Sequence, residues 1–341
     1  MRRHGGLWPR IASFDNLCRA AQRAARGKKK VAGVARFLER LEPEALSLLR
    51  ELEEGSYRPG RAFAFVIRDP KERTITAASF RDRVVHHALI DPLEPLFDRR
   101  MVFESFACRR GKGTHAALAH ARRCVRRRAW FLKLDIRSFF PSIDHPVVME
   151  TLGRILKDRR VLDLCQVIVT SGGSTGRPRV GLPIGNLTSQ WFANLVLDRL
   201  DHFVKEGLRI RGYVRYMDDF VLFGERKEAL SEALRTVGAF LTETLHLCLK
   251  DRATILAPSW QGLPFLGFRI HPGTTRLRPG NLRRTRSRLR TRLWQYRQGI
   301  LTEEKLGDCV RSVACHLDHG STLGLRRRLF APVPAARSPP G

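Results

Sequence analysis

The chain has 341 residues, of which 63 are lysine or arginine and 33 are aspartate or glutamate, giving a formal net charge of +30. This length suffices for a substantial buried core, and the charge far exceeds what solubility requires. We expect a polyanionic partner, and nucleic acid is the first candidate, although ribosomal-type or membrane-surface proteins can be equally basic. Charge therefore indicates the class of partner and not the activity.

The cysteines and the N-terminus bear on the cellular compartment. The seven cysteines are scattered, odd in number and without Cys-x-x-Cys pairs, which is typical of reduced thiols in a cytosol. No stretch is long and apolar enough to span a bilayer, and the start lacks a signal-peptide core. Cys315, His316 and His319 resemble metal ligands only superficially, because no second pair lies at zinc spacing. We expect a cytoplasmic protein with no membrane partner.

Helices are predicted at both ends of the chain. Residues 1–60 are rich in helix formers and charge, and a turn over residues 55–60 closes this segment. Residues 62–67 are predicted to form a strand. Beyond Ile270 a strongly basic region is predicted to be helical, and the Pro- and Ala-rich ending over 331–341 is predicted to be disordered.

Two adjacent carboxylates lie between two short apolar runs. Residues 212–216 and 220–223 are predicted to form strands, with Asp218 and Asp219 at the bend of a hairpin. Two like charges held in one small volume are costly unless a divalent cation neutralises them. By itself, however, such a pair in a turn is ordinarily a solvated cap.

A third carboxylate favours the metal interpretation. Residues 131–136 alternate as a strand, with Leu132 and Leu134 on one face and Asp135 on the other. An acid at the end of an apolar strand is expensive to bury without a partner, although it could simply cap a loop. Asp135 and the two acids of the hairpin could hold two Mg²⁺ ions about 4 Å apart, with Mn²⁺ as a substitute, as in-line phosphoryl transfer requires.

Four motifs then occur in one order, at residues 134–140, 181–190, 216–219 and 265–268. Together they resemble the palm of a reverse transcriptase. The resemblance covers most of the chain, from about residue 60 to 325. It implies an α+β, right-hand polymerase fold and an RNA-directed DNA polymerase that extends a primer on an RNA template, with dNTPs as substrates and DNA as product.

The same resemblance divides the chain into segments. It implies an N-terminal helical extension over residues 1–60, fingers over 61–130 and a palm over 131–270. A basic helical thumb is expected over 271–326, and a disordered tail over 327–341.

The resemblance also assigns roles around the reaction centre. Ile136 is expected to contribute only its backbone carbonyl to a metal. In this family an aromatic residue five positions after the catalytic Asp excludes the ribose 2′-hydroxyl, and here that residue is Phe140, which could otherwise be a plain core residue. The segment containing Ile184, Gly185 and Gln190 lies over the incoming nucleotide in relatives.

Basic residues in the fingers and thumb are further candidates. Relatives neutralise the triphosphate in the fingers, and the usual glycine between the basic residues is missing here, so the individual contacts stay open. In the thumb, Leu282, Leu289, Leu293 and Tyr296 form a narrow apolar stripe, so the helix either grips the template–primer duplex by its phosphates or is merely a solvated charged helix. The candidates are Arg68, Lys71, Arg73 and Arg109 for the nucleotide and Lys112, Arg283, Arg286 and Arg290 for nucleic acid.

Within the family, residues 184–190 are similar to the motif of diversity-generating retroelement enzymes, which are prokaryotic. Most relatives have glutamine where this chain has Ile184. Losing an amide that bonds the substrate leaves shape alone to discriminate between nucleotides, which predicts error-prone copying, at template adenines by analogy with those retroelements. A small accessory protein would be a further partner.

Three alternatives stay open. A group II intron protein normally continues beyond the thumb into maturase segments, whereas here little follows residue 325. Retron enzymes have similar lengths, but their characteristic motifs are missing. A non-catalytic RNA-binding assembly protein on a decayed polymerase scaffold is disfavoured because all three acids are present.

Overall fold

The computed structural model describes residues 3–68, 72–172 and 179–330. The N-terminal segment is helical, as predicted, and its longest helix ends at Gly55, whose left-handed backbone (φ 71°) no longer fits a helix. Buried Leu17, Ala20 and Ala24 form the inward face of the second helix. The four helices are α1 (Trp8–Ile11), α2 (Phe14–Ala24), α3 (Ala32–Glu39) and α4 (Leu41–Glu54).

An exposed hairpin and two long helices follow. The hairpin pairs β1 (Phe63–Ile67) with β2 (Arg73–Ala77) in antiparallel fashion, and β1 is exposed along its whole length. Ser79 caps the next helix by accepting a hydrogen bond from the backbone N–H of Asp82. The two helices are α5 (Phe80–Arg100), which is largely buried, and α6 (Thr114–Arg127).

A four-stranded antiparallel sheet forms the centre of the protein, with the strand order β4-β5-β3-β6. Its side chains alternate between two cores: Leu132 and Phe220 face the larger one, whereas Phe131 and Val221 face a second one that includes α6. The strands are β3 (Trp130–Asp135), β4 (Gly212–Tyr216), β5 (Asp219–Gly224) and β6 (Ile255–Pro258), and the helices in this region are α7 (Phe139–Ser142), α8 (His145–Gly153), α9 (Arg159–Thr170), α10 (Leu187–His202) and α11 (Lys227–Leu245).

A small sheet leads into the basic C-terminal helices. Its first turn contains Gly267, whose left-handed φ of 89° favours glycine, and Asn281 of the first basic helix donates from Nδ2 to the Gly267 carbonyl (3.1 Å). The strands are β7 (Leu263–Phe265), β8 (Phe268–Ile270) and β9 (Thr275–Leu277), and the helices are α12 (Pro279–Arg297), α13 (Glu303–Asp318) and α14 (Leu323–Phe330).

Three further findings concern the C-terminal helix, the thiols and the lengths of the helices. Helix α14 extends to Phe330, so residues 327–330, which the sequence assigns to a disordered tail, are helical. All seven cysteines are free thiols. Over the described ranges we find no helix with the length and apolarity needed to cross a membrane. We keep the names fingers, palm and thumb for residues 61–130, 131–270 and 271–326, and these boundaries stay predictions.

Candidate active site

The hairpin between β4 and β5 is tighter than the sequence suggests. Tyr216 pairs with Asp219, so Met217 and Asp218 alone form the turn, and Met217 has the left-handed φ of 55° that two-residue turns require. The prediction that both acids lie at the bend is therefore corrected. Asp218 lies in the turn, whereas Asp219 begins β5 and pairs with Asp135 of β3.

The three acids border one cleft of about 740 Å³. The backbone N–H of Ile136 donates to the carbonyl of Asp218 (3.3 Å), which ties the end of β3 to the turn. The backbone N–H of Lys250 donates to the carbonyl of Asp135 (2.9 Å) and fixes the other side. The lining also includes Arg73 and Thr74 of the fingers hairpin, Phe139, Phe140, Ile184, Tyr216 and Leu266.

Asp218 carries negative charge that the protein only partly compensates. Burial raises the pKa of its carboxyl group, and the nearby charge of Asp135 raises it further, whereas Arg73 and Lys133 act in the opposite direction. Two carboxylates that repel each other in a partly buried cleft are stabilised by a cation placed between them. Among the described residues, Arg73 is a cation of the fingers whose charge acts on Asp218.

Asp219 has a different partner. Its Oδ1 contacts the Nζ of Lys133, which projects from the neighbouring strand β3. Burial raises the pKa of Asp219 to about 6, with Lys133 opposing that shift. The alternation of β3 indicates that Lys133 and Asp135 share a face, but it does not reveal this ion pair.

The donor set fits a hard divalent cation. Asp135, Ile136 and Asp218 line the same cleft, and carboxylate and backbone carbonyl oxygens are the ligand types that Mg²⁺ prefers. Within residues 3–68, 72–172 and 179–330, no three Asp, Glu, His or Cys side chains are already grouped around one ion position. Asp219 is meanwhile held by Lys133.

The fingers hairpin contacts the segment that precedes α10. The backbone N–H of Thr76 donates to the carbonyl of Ile184 (3.0 Å), and the N–H of Ala78 donates to Oδ1 of Asn186 (3.2 Å). Gly185 (φ 115°) leaves room for this contact, because a Cβ atom there would lie 2.9 Å from Ile75. Sequence reasoning missed Asn186, although an Asx residue before a helix is a common cap and turn residue.

Two predicted nucleotide contacts, Arg68 and Gln190, are not among the residues that line the cleft. Arg68 is solvent-exposed beside Glu72, and Lys71 lies outside the described residues. Gln190 accepts a hydrogen bond from the thiol of Cys108 (3.6 Å). The nucleotide contacts assigned to Arg68, Lys71 and Gln190 stay predictions.

The side chain of Arg109 is bonded within the protein. Only 6% of its side chain is exposed, and its guanidinium donates to the Asp98 carboxylate (2.6 Å) and to the carbonyls of Val102 (2.6 Å) and Ser105 (3.0 Å). These bonds use its donors inside the protein, and Arg109 is not among the residues that line the cleft. These bonds hold the loop after α5, and the nucleotide contact assigned to Arg109 stays a prediction.

The predicted nucleic-acid contacts differ in their surroundings. The ammonium group of Lys112 lies 3.5 Å from the centroid of the Phe103 ring and donates to the Phe103 carbonyl. Helix α12 has no buried residue, and Arg283, Arg286 and Arg290 are all exposed on it. These three arginines are therefore free of the core and accessible to a large polyanion.

Residues 68–270 match the family described as reverse transcriptase (RNA-dependent DNA polymerase). The chain belongs to the reverse transcriptase family. Among relatives, it is 26% identical to protein YkfC of Escherichia coli (strain K12) over 278 residues, which are 68% of this chain and 72% of YkfC. It is 25% identical to the group II intron-encoded protein LtrA of Lactococcus lactis over 170 residues, 48% of this chain and 28% of LtrA.

Some relatives are much longer than the region that they share with this chain. The chain is 37% identical over 87 residues to nuclear intron maturase 1 of Arabidopsis thaliana, covering 26% of this chain and 12% of the maturase. Among solved structures, apo telomerase from Candida tropicalis superposes with a TM-score of 0.51 at 10% identity, covering 80% of this chain and 60% of that chain. This likeness confirms the right-hand polymerase fold, and LtrA and the maturase match this chain over less than a third of their own length.

Proposed function

We propose that the protein is an RNA-directed DNA polymerase that depends on divalent metal ions. The observation that carries the proposal is the convergence of Asp135 and Asp218 on one cleft, together with Arg73 from the fingers. Membership of the reverse transcriptase family supports the same activity. RNA template, primer and dNTPs would be its partners.

The residues of the cleft divide the work. Asp135, Asp218 and the carbonyl of Ile136 would hold the metal ions, with Asp219 joining them if it leaves Lys133. When bound, such ions activate a primer 3′-hydroxyl and stabilise the charge that develops on the transferred phosphorus. Arg73 would attract the triphosphate, and the ring of Phe140 would restrict the space beside the sugar.

Primer extension tests this proposal directly. The purified protein should incorporate dNTPs on a primed RNA template only when Mg²⁺ or Mn²⁺ is present. Asp218→Asn should lower the rate about a thousandfold or more, since a lost metal ligand costs roughly 4 kcal/mol of transition-state stabilisation. Asp163→Asn is the matched control, because Asp163 is exposed and pairs with Arg159 away from the cleft. RNA binding without Mg²⁺-dependent incorporation would instead support the non-catalytic scaffold.

We further propose error-prone copying of template adenines for a diversity-generating retroelement. The support is the aliphatic side chain of Ile184 in the cleft lining, at a position where the family resemblance implies an amide in most relatives. Similarity to LtrA and to the intron maturase favours a second candidate, an intron-type reverse transcriptase. The DNA that flanks the gene separates the two: a pair of repeats differing mainly at adenines supports the first, and intron boundaries support the second.

A further inference from the structure

A buried arginine, Arg215, lies in β4, two residues before the Met217–Asp218 turn begins. Neither the side chain of Arg215 nor that of Asp201 is exposed to solvent. Arg215 donates from Nε to Oδ1 of Asp201 (2.7 Å) and from Nη2 to Oδ2 (2.5 Å), and Tyr213 donates its hydroxyl to the same carboxylate (2.7 Å). A buried ion pair is often no more stabilising than apolar side chains of the same volume, so stability alone does not explain this arrangement.

The other donors of Arg215 connect separate parts of the chain. Nη2 donates to Oγ of Ser105 (3.0 Å), and Nη1 donates to Oδ1 of Asn194 (2.9 Å) and to the carbonyl of Met217 (3.3 Å). Met217 is the residue with the left-handed φ of 55°, a backbone conformation that is strained for a non-glycine residue. The hydrogen bond from Arg215 to the Met217 carbonyl therefore restrains a strained residue that directly precedes Asp218 in the turn.

Helix α10 links this network to the opposite side of the cleft. Asp201 and Asn194 both lie on α10, and the segment just before α10 contacts the fingers hairpin through Ile184 and Asn186. The guanidinium of Arg215 thus bonds both to α10 and to the Met217–Asp218 turn. Lysine could keep the charge there, but its single ammonium group cannot reproduce the fork of donors.

We propose that Arg215 is a positioning residue that holds the Met217–Asp218 turn against α10, so that Asp218 meets Asp135 at the spacing a divalent ion requires. The inference rests on the proposed function, because it concerns the same metal-binding cleft. It does not require Arg215 to touch substrate or metal. If Arg215 is replaced, we therefore expect metal binding to weaken while RNA binding stays nearly unchanged.

Metal binding and kinetics of Arg215→Lys test the inference. We expect the dissociation constant for Mn²⁺ alone, measured by electron paramagnetic resonance without substrate, to rise about tenfold, and kcat to fall by at least about that factor. The KM for dNTPs and the affinity for primed RNA should stay within about twofold. Ser105→Ala removes one bond and keeps the ion pair, so it should lower both the Mn²⁺ affinity and kcat by a few-fold. This variant tests the inference even if Arg215→Lys does not fold.

Arg100→Lys is the matched control. Arg100 pairs with buried Asp198 on the same helix α10 (2.9 Å), so this variant should lower the thermal stability while its Mn²⁺ affinity and kcat stay unchanged. Equal Mn²⁺ and kcat losses in the two lysine variants, or unchanged Mn²⁺ affinity in both Arg215→Lys and Ser105→Ala, would overturn the inference. A wild-type protein that binds Mn²⁺ in this cleft but does not extend primers would contradict the proposed polymerase activity and leave the positioning role of Arg215 standing.

Discussion

The Nζ of Lys133 contacts Oδ1 of Asp219 across two neighbouring strands, so one of the three acids at the cleft is already paired with a cation. Lys133 pairs with Val221 in the sheet register, which places Asp219 diagonally opposite it on the same face. Both side chains are mostly buried, at 11% and 24% exposure, where opposite charges attract more strongly than at the surface. Asp219 therefore has a partner that competes with any metal ion.

Replacing Lys133 by methionine should release Asp219. Without metal, we expect a lower unfolding temperature, because the buried carboxylate loses the cation that neutralises it. Adding Mg²⁺ should then raise the unfolding temperature of Lys133→Met more than that of the wild type, since Asp219 becomes available as a ligand. Differential scanning fluorimetry with and without Mg²⁺ measures both effects. Lys250→Met, which removes a lysine from the same cleft lining, is the control, and an equal Mg²⁺ response in the two variants would contradict the competition.

The ring of Phe140 is expected to select the sugar. It lies in the cleft lining and also packs edge-on against Phe139 (5.5 Å between centroids), so it belongs to both the cleft and the core. Phe140→Ala should open space beside C2′ and raise the incorporation of rNTPs relative to dNTPs. Single-nucleotide incorporation with each substrate measures the ratio. Unchanged discrimination with intact dNTP activity would leave Phe140 as a core residue only.

The positions of Asp135 and Asp218 could be anticipated because they depend on local signals. Period-two alternation marks β3, and an acidic pair between two apolar runs marks the hairpin. A shift of one residue in the turn moves Asp219 from the bend to the start of β5, because the two-residue loop pairs Asp219 with Tyr216. Strand register is decided by pairing across the sheet, and a single run of residues does not contain that information.

Ion pairs within the protein could not be anticipated in the same way. The sequence shows that Lys133, Arg109 and Arg215 are basic, but not whether their side chains reach solvent. The structure places all three against acidic partners from other elements of the chain. A strongly basic composition therefore overstates the number of cations available to nucleic acid.

The exposed arginines of α12 should bind duplex phosphates. Replacing Arg283, Arg286 and Arg290 by glutamine should weaken binding to unrelated primed RNAs to a similar degree. The slope of log affinity against log salt should flatten by up to about one unit per lost contact, because fewer counterions are released. Fluorescence anisotropy over a series of salt concentrations measures both quantities.

A matched triple variant controls for net charge. Arg154, Arg159 and Arg235 are exposed arginines that pair with acids on their own helices, so neutralising them should leave the salt slope nearly unchanged. Equal flattening in both triple variants would show that overall charge, and not α12, governs binding. A loss confined to one RNA sequence would indicate base recognition.

Buried Asp198 should give the protein a pH-dependent stability. Burial raises its pKa to about 6 and the charge of Asp201 acts in the same direction, whereas His202, Arg100 and Arg215 oppose the shift. The folded state thus binds this proton more tightly than the unfolded chain, so the free energy of unfolding falls as pH rises from about 4 to 6. Asp198→Asn should flatten that decline. Urea denaturation at several pH values measures it, and an identical slope in both proteins would exclude Asp198 as its source.

The side chain of Ile184 should limit copying fidelity. The hydrogen bond from Thr76 fixes its backbone, and Ile184 lines the same cleft as the Met217–Asp218 turn. Right and wrong nucleotides are separated by differences in transition-state free energy, and one missing hydrogen bond to the substrate reduces that difference by about 1 kcal/mol, or several-fold in error rate. Ile184→Gln should restore the bond and lower misincorporation, whereas Ile184→Leu, which keeps an aliphatic side chain, should not. Sequencing cDNA made on a defined RNA template measures errors at each base. Uniformly low wild-type error at template adenines would exclude the diversity-generating role and leave the polymerase activity in place.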